Sequence, residues 1–357
     1  MKILIVAPSR KNGGIERALS VLANEWALQN FEVIYVSCLK SEPFYTLNSK
    51  IKIVEPSFKR IGGLSNKLLF YPKLISYLRT QIKTHQPDRI LSFGDFFNPL
   101  VLLAASDLKI PIYISDRTSA DFKFPFYIKF LKQRMYPKAA GFIAQTQRAF
   151  DAKSSQFGPE FRQVVIPNAI RNIEKLNFEH EKIILYAGRF SWEKNPKALI
   201  SAFAKIENKD GWKLVMAGDG PQWNEMKQNA KTFGIENDVF FLGAVPQLDE
   251  WLNKASIFVL PSVLEGFPNA LAEAMMAGIA VVCFDSIAYE SLINPGEDGE
   301  VIPFENINLL TDKMQELILD KNARIQLGMK ARNKATNWTV QNVINQYINF
   351  LELRNDI

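Results

Sequence analysis

Short apolar runs alternate along the chain with longer segments in which apolar residues recur every three or four positions. Ile3–Val6, Val33–Val36, Arg89–Ser92, Ile112–Ser115, Phe142–Ala144 and Val164–Ile166 have strand length and are rich in β-branched residues. Ile15–Leu28, Lys67–Lys83 and Tyr127–Tyr136 carry helical periodicity between them. A polar stretch from Pro167-Asn168 to about His180 breaks the series and reads as a linker. The alternation then resumes with Ile183–Ala187, Leu214–Ala217, Val239–Leu242, Ile257–Leu260 and Ala280–Cys283, each followed by a helical segment. Strands apolar on both faces, alternating with helices, imply parallel sheets covered on each side. The expectation is therefore α/β, with two doubly wound domains at 1–169 and 170–339 facing an interdomain cleft. A last helix at about 340–357 is expected to pack back on the first domain. Such sheets take their ligands beyond the carboxyl ends of the strands, so the residues that follow each strand are the ones to read.

Composition changes this picture little. A chain of 357 residues, 47% apolar and 22% charged, is ordinary for a soluble protein of two domains. Two distant cysteines, Cys38 and Cys283, exclude a disulfide framework, and two histidines, His85 and His180, supply no metal cluster. The first apolar run is too short for a signal-peptide core, and no run reaches the roughly 18 residues of a membrane span. A cytoplasmic location follows as an expectation, with peripheral attachment to the inner face of the membrane left open.

Charge changes it more. Residues 1–170 carry 24 Lys and Arg against 12 Asp and Glu, whereas the remainder carries 19 against 25. The first half is thus matched to something anionic, and nucleic acid, an anionic bilayer and a phosphorylated substrate all qualify.

Three post-strand segments carry candidate chemistry. The first strand runs into Pro8-Ser9-Arg10-Lys11-Asn12-Gly13-Gly14, with a helix opening near Ile15. Paired glycines let backbone N–H groups approach an anion at a helix N-terminus, although a tight turn with no ligand would look the same. Strand 183–187 runs into Gly188-Arg189-Phe190-Ser191-Trp192-Glu193-Lys194-Asn195-Pro196. Arg189 and Lys194 suit a diphosphate, as a guanidinium fork and a point charge; alone they are equally two solvated cations. Strand 257–260 leads into Pro261-Ser262-Val263-Leu264-Glu265-Gly266-Phe267-Pro268-Asn269-Ala270-Leu271-Ala272-Glu273. A helix starting near Pro268 would turn free N–H groups toward a ligand, with Glu265 before it and Glu273 in its second turn. Carboxylates there suit sugar hydroxyls. A loop bearing one exposed Glu would not require Gly-Phe-Pro at the turn.

Taken together these segments resemble glycosyltransferase family 4, whose members are retaining enzymes with a GT-B fold of two Rossmann-like domains. The Glu265-x7-Glu273 spacing looks like that family's donor motif, and Gly188–Asn195 like its diphosphate loop. Ala217-Gly218-Asp219-Gly220-Pro221, Phe241-Leu242-Gly243 and Val165-Ile166-Pro167-Asn168 match in order and spacing, and the resemblance covers nearly the whole chain. The Gly13-Gly14-Ile15-Glu16-Arg17 segment looks like the glycine loop of members that build bacterial surface polysaccharides.

The resemblance implies that Arg189 and Lys194 hold a nucleotide diphosphate, Glu273 the ribose and Glu265 the transferred sugar. The main chain around Phe267, Pro268 and Asn269 would assist, Gly243 would meet the base, and Gly13 and Gly14 the phosphates. It further implies a UDP-linked hexose or N-acetylhexosamine donor, a glycan acceptor that is lipid-linked, and no cofactor or metal requirement. Where many members carry a histidine after the fourth strand of the first domain, this chain has Arg117, within Ser115-Asp116-Arg117-Thr118-Ser119. Arginine is no base at neutral pH, but it can neutralise a phosphate or hold a hydroxyl.

Residues 122–138 mix five cations with aromatics and contain no acid, and Lys59–Lys83 is a second basic, apolar-rich segment. The first reads either as a helix lying on an anionic membrane or as a core-facing helix with a basic outer face. Two other readings fit parts of the chain. A sugar-nucleotide epimerase shares the architecture but needs no such basic, aromatic surface. A nucleic-acid-binding protein suits the pI near 9.1 but leaves the acidic second half unexplained, so no nucleic-acid partner is expected.

Overall fold

The computed structural model describes the chain apart from residues 12, 60–63, 120–121, 155–156, 159, 174–179, 246–247 and 354–357, and apart from the side chains of 64–68. Parts of the expected linker, of the Lys59–Lys83 segment and of the final helical stretch therefore lie outside the described residues. The chain divides into two compact units, one of Met1–Ala169 with Val340–Ile357 and one of Ile170–Thr339.

In the first unit the strands are β1 (Lys2–Ala7), β2 (Glu32–Ser37), β3 (Lys52–Val54), β4 (Arg89–Phe93), β5 (Ile112–Ser115), β6 (Gly141–Ala144) and β7 (Gln163–Val165). Helices α1 (Gly14–Leu28), α2 (Leu64–His85), α3 (Asn98–Ala104), α4 (Phe126–Met135) and α5 (Gln147–Ser154) alternate with them. The sheet is parallel, in the order β3-β2-β1-β4-β5-β6-β7. The period of two along β1 is explicit. Leu4 and Val6 join one core layer with α2 and α3, while Ile3, Ile5 and Ala7 join the opposite layer with α1.

The second unit repeats the scheme with β8 (Ile183–Ala187), β9 (Lys213–Ala217), β10 (Val239–Gly243), β11 (Ile257–Leu260), β12 (Ala280–Phe284) and β13 (Glu300–Ile302). Its helices are α6 (Pro196–Lys205), α7 (Trp223–Thr232), α8 (Asp249–Lys254), α9 (Asn269–Ala277), α10 (Ile307–Leu319) and α11 (Lys321–Ala335). The strand order is β10-β9-β8-β11-β12-β13, also parallel. Strands β3 and β13 were not foreseen. Each has three residues, and β3 is largely exposed, so neither shows a strong apolar run. The start of the expected linker is packed, with Ile170 and Ile173 buried in the second core.

The chain returns to the first unit through α12 (Val340–Leu351), whose Val343, Ile344, Tyr347 and Leu351 are buried beside Leu19, Leu22, Ala23 and Trp26 of α1. Each aliphatic side chain so buried contributes about 1.5–3 kcal/mol of transfer free energy. Gly141 lets the helix close on the sheet, since a Cβ there would lie 2.8 Å from the Phe350 ring.

One buried ionic cluster joins α4 and α5 to the carboxyl ends of β4 and β5. Lys132 Nζ lies 2.8 Å from Asp95 Oδ1 and 2.7 Å from Asp116 Oδ2, and Lys153 donates to the same two oxygens. Tyr136 and Asn98 satisfy the other oxygen of Asp116, at 2.5 and 3.1 Å. Lys132 therefore corrects the sequence reading of residues 122–138: it is buried, and four of the five cations remain outside. Two lysines against two carboxylates balance, which is what makes burial of all four tolerable.

Burial disfavours the Asp116 carboxylate, but Lys153 and Lys132 outweigh it and hold its pKa well below the usual range. Burial likewise opposes the Lys153 cation, and Asp116 and Asp95 outweigh it and raise its pKa. The Asp116 contribution to stability is thus present above the unfolded pKa of about 3.9 and lost as pH falls toward the depressed folded value. The Lys153 contribution is present below about 10.4 and lost as pH rises through the raised folded value. Urea titrations are expected to show a stability plateau between these limits. Asp116→Asn, which leaves two buried lysines to share one carboxylate, should lower the plateau by about 3–5 kcal/mol. A loss under about 1 kcal/mol would mean that water reaches the cluster and screens it.

Candidate functional site

The strand order of the second sheet reverses between β8 and β11, where Ile184 and Leu185 pair with Ile257 and Phe258. Loops leaving two neighbouring strands at such a reversal diverge to opposite faces and open a crevice at the carboxyl edge. Here those loops are Gly188–Asn195 and Pro261–Pro268, two of the three segments that the sequence singles out.

Their side chains meet. Lys194 Nζ lies 2.6 Å from Glu265 Oε1, and Ser262 Oγ donates to the same oxygen at 2.9 Å. The main chains meet as well, because the Glu193 carbonyl accepts from Val263 N at 2.8 Å and from Leu264 N at 3.4 Å. Glu265 is 9% exposed and Lys194 25%. Among the described residues both contacts to the carboxylate fall on Oε1, which leaves the lone pairs of Oε2, and the Lys194 ammonium has used one of three donors.

The loop after β8 is held from beneath. Phe190 is fully buried, its N–H donating to the Asp219 carbonyl at 2.7 Å and its carbonyl accepting from Gln222 N at 2.9 Å. Tyr186 donates its hydroxyl to the Arg189 carbonyl at 3.0 Å. Burial, and then the charges of Glu265 and Glu193, raise the pKa of that phenol and keep it a donor. Arg189 itself is exposed and makes no ion pair among the described residues. Trp192, to which the sequence reading gave no role, is exposed at the tip of the same turn. Gly218 is required for close approach: its φ is +138°, and a Cβ would lie 1.9 Å from the Gly188 carbonyl oxygen. Its N–H donates to the Gly243 carbonyl at 2.7 Å, so Gly243, at φ +75°, is tied to the same loop cluster.

The helix expected near Pro268 begins at Asn269, with Pro268 as its cap residue and no side chain capping it. The first N–H groups of a helix have no intrahelical acceptor and carry the positive end of its dipole. The Phe267 side chain is buried in the core, so Phe267 offers a ligand only main chain. Glu273 follows on the second turn, 4% exposed. Burial opposes the nearby Arg171 cation, and Asp249 and Glu273 outweigh it. Lys194 and Glu265 are thus brought together across the strand-order reversal, Arg189 stands on the same loop as Lys194, and Glu273 lies near Arg171 on the second turn of α9.

The remaining candidates lie in the first unit, and there the physical reasons differ from those expected. Gly13 is extended, at φ −170°, so backbone conformation does not demand glycine. A Cβ would instead lie 2.3 Å from Glu16 Oε2, while Ser9 donates to Glu16 Oε1 at 2.6 Å. The group lying over Gly13, one residue before Gly14 opens α1, is the chain's own carboxylate.

Arg117 is not presented as a surface cation. It is 8% exposed, donating to Asn168 Oδ1 at 2.6 Å and to the Tyr347 hydroxyl at 2.5 Å, with its guanidinium 3.7 Å over the Phe93 ring. It ties α12 to the carboxyl end of β4. Asp95, which the sequence reading passed over, accepts from Arg117 N at 3.0 Å and Thr118 N at 3.1 Å and so fixes the loop after β5.

Known proteins share this architecture. Residues 12–171 match the family model Glycosyltransferase Family 4, and residues 169–334 match Glycosyl transferases group 1. The chain is 26% identical over 368 residues, 99% of both proteins, to the GalNAc-alpha-(1->4)-GalNAc-alpha-(1->3)-diNAcBac-PP-undecaprenol alpha-1,4-N-acetyl-D-galactosaminyltransferase of Campylobacter jejuni. It is 24% identical to the amylovoran biosynthesis glycosyltransferase AmsD of Erwinia amylovora, across 98% of this chain and 99% of AmsD. Among solved structures, Anabaena HepE in complex with UDP superposes with a TM-score of 0.80 at 18% identity, over 99% of this chain and 100% of HepE. Two consecutive family models, a shared two-sheet GT-B architecture and relatives matched end to end lead to one conclusion: the chain belongs to glycosyltransferase family 4 and is a glycosyltransferase.

Proposed function

We propose that this glycosyltransferase is retaining, and that it moves a hexose or N-acetylhexosamine from a UDP-linked donor to a lipid-linked glycan in bacterial surface-polysaccharide synthesis. The observation that carries the donor side is the Lys194–Glu265 pair across the strand-order reversal, with exposed Arg189 and the start of α9 beside it. The acceptor side is supported by the relatives, one of which is named for an undecaprenol-diphosphate-linked substrate and one for amylovoran biosynthesis.

In this reading Arg189, Lys194 and the first N–H groups of α9 stabilise the charge that develops on the departing diphosphate. Glu265 Oε2 accepts a hydroxyl of the transferred sugar, Glu273 accepts from the ribose, and the main chain at Gly243 meets the base. The bond from the anomeric carbon to the diphosphate oxygen breaks as a bond to the acceptor oxygen forms on the same face. The acceptor proton passes to the leaving phosphate oxygen, so no side-chain base is required. Arg117 acts as a strut between α12 and the first sheet and does not touch substrate.

Calorimetric titration with UDP tests the donor assignment. Arg189→Ala and Lys194→Ala each remove a charge-assisted contact and are expected to raise the Kd about tenfold or more; an unaltered Kd in both would remove the diphosphate from this crevice. Glu265→Gln should lower kcat, because its partner is the sugar, and by releasing Lys194 should leave UDP affinity equal or higher. Full transfer activity with an unaltered donor constant would refute that role. Two cations and a helix terminus here do the work a divalent ion does elsewhere, so activity should survive excess chelator. Loss on chelation with recovery on added Mg²⁺ would contradict this.

A further inference from the structure

We propose that α4 and the segment leading into it form a membrane-docking face whose partner is the surface of an anionic phospholipid bilayer. This deepens the reading of a lipid-linked acceptor and names where the enzyme meets the lipid. Phe126 is 84% exposed, Tyr127 and Phe130 are 60% exposed, and Phe122 is 39% exposed. Single exposed aromatics are ordinary on a protein surface, but four within nine residues are not.

The apolar surface continues beyond the helix. Phe122 packs edge-on to Phe124 at 4.8 Å between centroids, and Phe124 to Phe96 at 5.4 Å. Phe96 follows β4, so the aromatic surface runs from α4 to the carboxyl edge of the first sheet, the edge at which a parallel sheet takes its ligand.

The helix cannot turn these rings inward. Ile128 and Met135 are buried on its other side, and Lys132 is locked to Asp95 and Asp116 and lies 4.3 Å over Phe124. The ionic cluster therefore fixes which face α4 presents.

Charge selects the partner. Lys123, Lys129, Arg134 and Lys138 are exposed around the rings, and residues 122–138 contain no acid. A second copy of the chain, meeting this face through a two-fold axis, would set cations against cations. An anionic bilayer satisfies both parts of the surface: the rings enter the boundary between headgroups and acyl chains while the lysines reach the phosphates. A helix of ten residues is too short to cross, and no described helix is long and apolar enough to do so. This one would lie in the plane of the interface.

Co-sedimentation of the full chain, without sugar substrates, tests the proposal independently of transfer activity. The vesicles are equal parts phosphatidylethanolamine and phosphatidylglycerol, with phosphatidylcholine vesicles as the neutral comparison. The chain is expected to sediment with the anionic vesicles and to be released by salt. Replacing Phe126, Tyr127 and Phe130 together by Ser should lower partitioning at least tenfold, on the order expected for withdrawing buried rings. Lys129→Glu should lower it about fivefold or more. All four positions are exposed, so the melting temperature should not move. Equal binding to neutral and anionic vesicles, no binding to either, or wild-type binding by the triple variant would overturn the proposal. So would a wild-type dimer that the triple variant dissolves, or a single-stranded oligonucleotide whose binding is what that variant loses.

Discussion

The pairing of Lys194 with Glu265 spans the one place in the second sheet where neighbouring strands send their loops to opposite faces. Parallel β8 and β11 bring residues 71 positions apart within 2.6 Å. Ser262 and the Glu193 carbonyl complete the join between the two loops. Without that link a partly buried carboxylate at 9% exposure would stand unpaired, at a cost of several kcal/mol. With it, the loop after β8 and the loop that leads into α9 are held together. On the proposed reading, an entering diphosphate would compete with Glu265 for Lys194 and exchange one anionic partner for another.

The first unit relies on a different constraint. Its buried Asp95, Asp116, Lys132 and Lys153 tie two helices to the ends of two strands, and the same Asp95 holds the main chain at Arg117 and Thr118. Arg117 then reaches Tyr347, so the returning helix α12 is fastened to the same strand ends. Charge that looks like surface charge in the sequence serves here as internal fastening, and what remains outside on α4 is a smaller and more aromatic face.

Much of this was legible because parallel sheets obey simple placement rules. Apolar runs bounded by turn residues marked most strands, and segments following those runs had to fall on the carboxyl edge. The segments that carry Arg189, Lys194, Glu265 and Glu273 could thus be placed after their strands by residue type and position. That Lys194 bonds Glu265 was not legible, because it depends on β8 and β11 being neighbours, which periodicity does not encode. The partners of Lys132 and Arg117 were hidden for a related reason: Asp95, Asp116, Asn168 and Tyr347 lie between 16 and 230 positions away. The close approach of Glu16 to Gly13 was likewise not legible, since it is a side-chain contact that no backbone rule encodes.

The measurement that bears most directly on the donor crevice is a crystal structure of the protein with UDP bound. The account predicts the diphosphate within hydrogen-bonding distance of Arg189, Lys194 and the first N–H groups of α9, with the ribose hydroxyls on Glu273. Density for the diphosphate elsewhere, with Lys194 still on Glu265 and Arg189 in solvent, would contradict it.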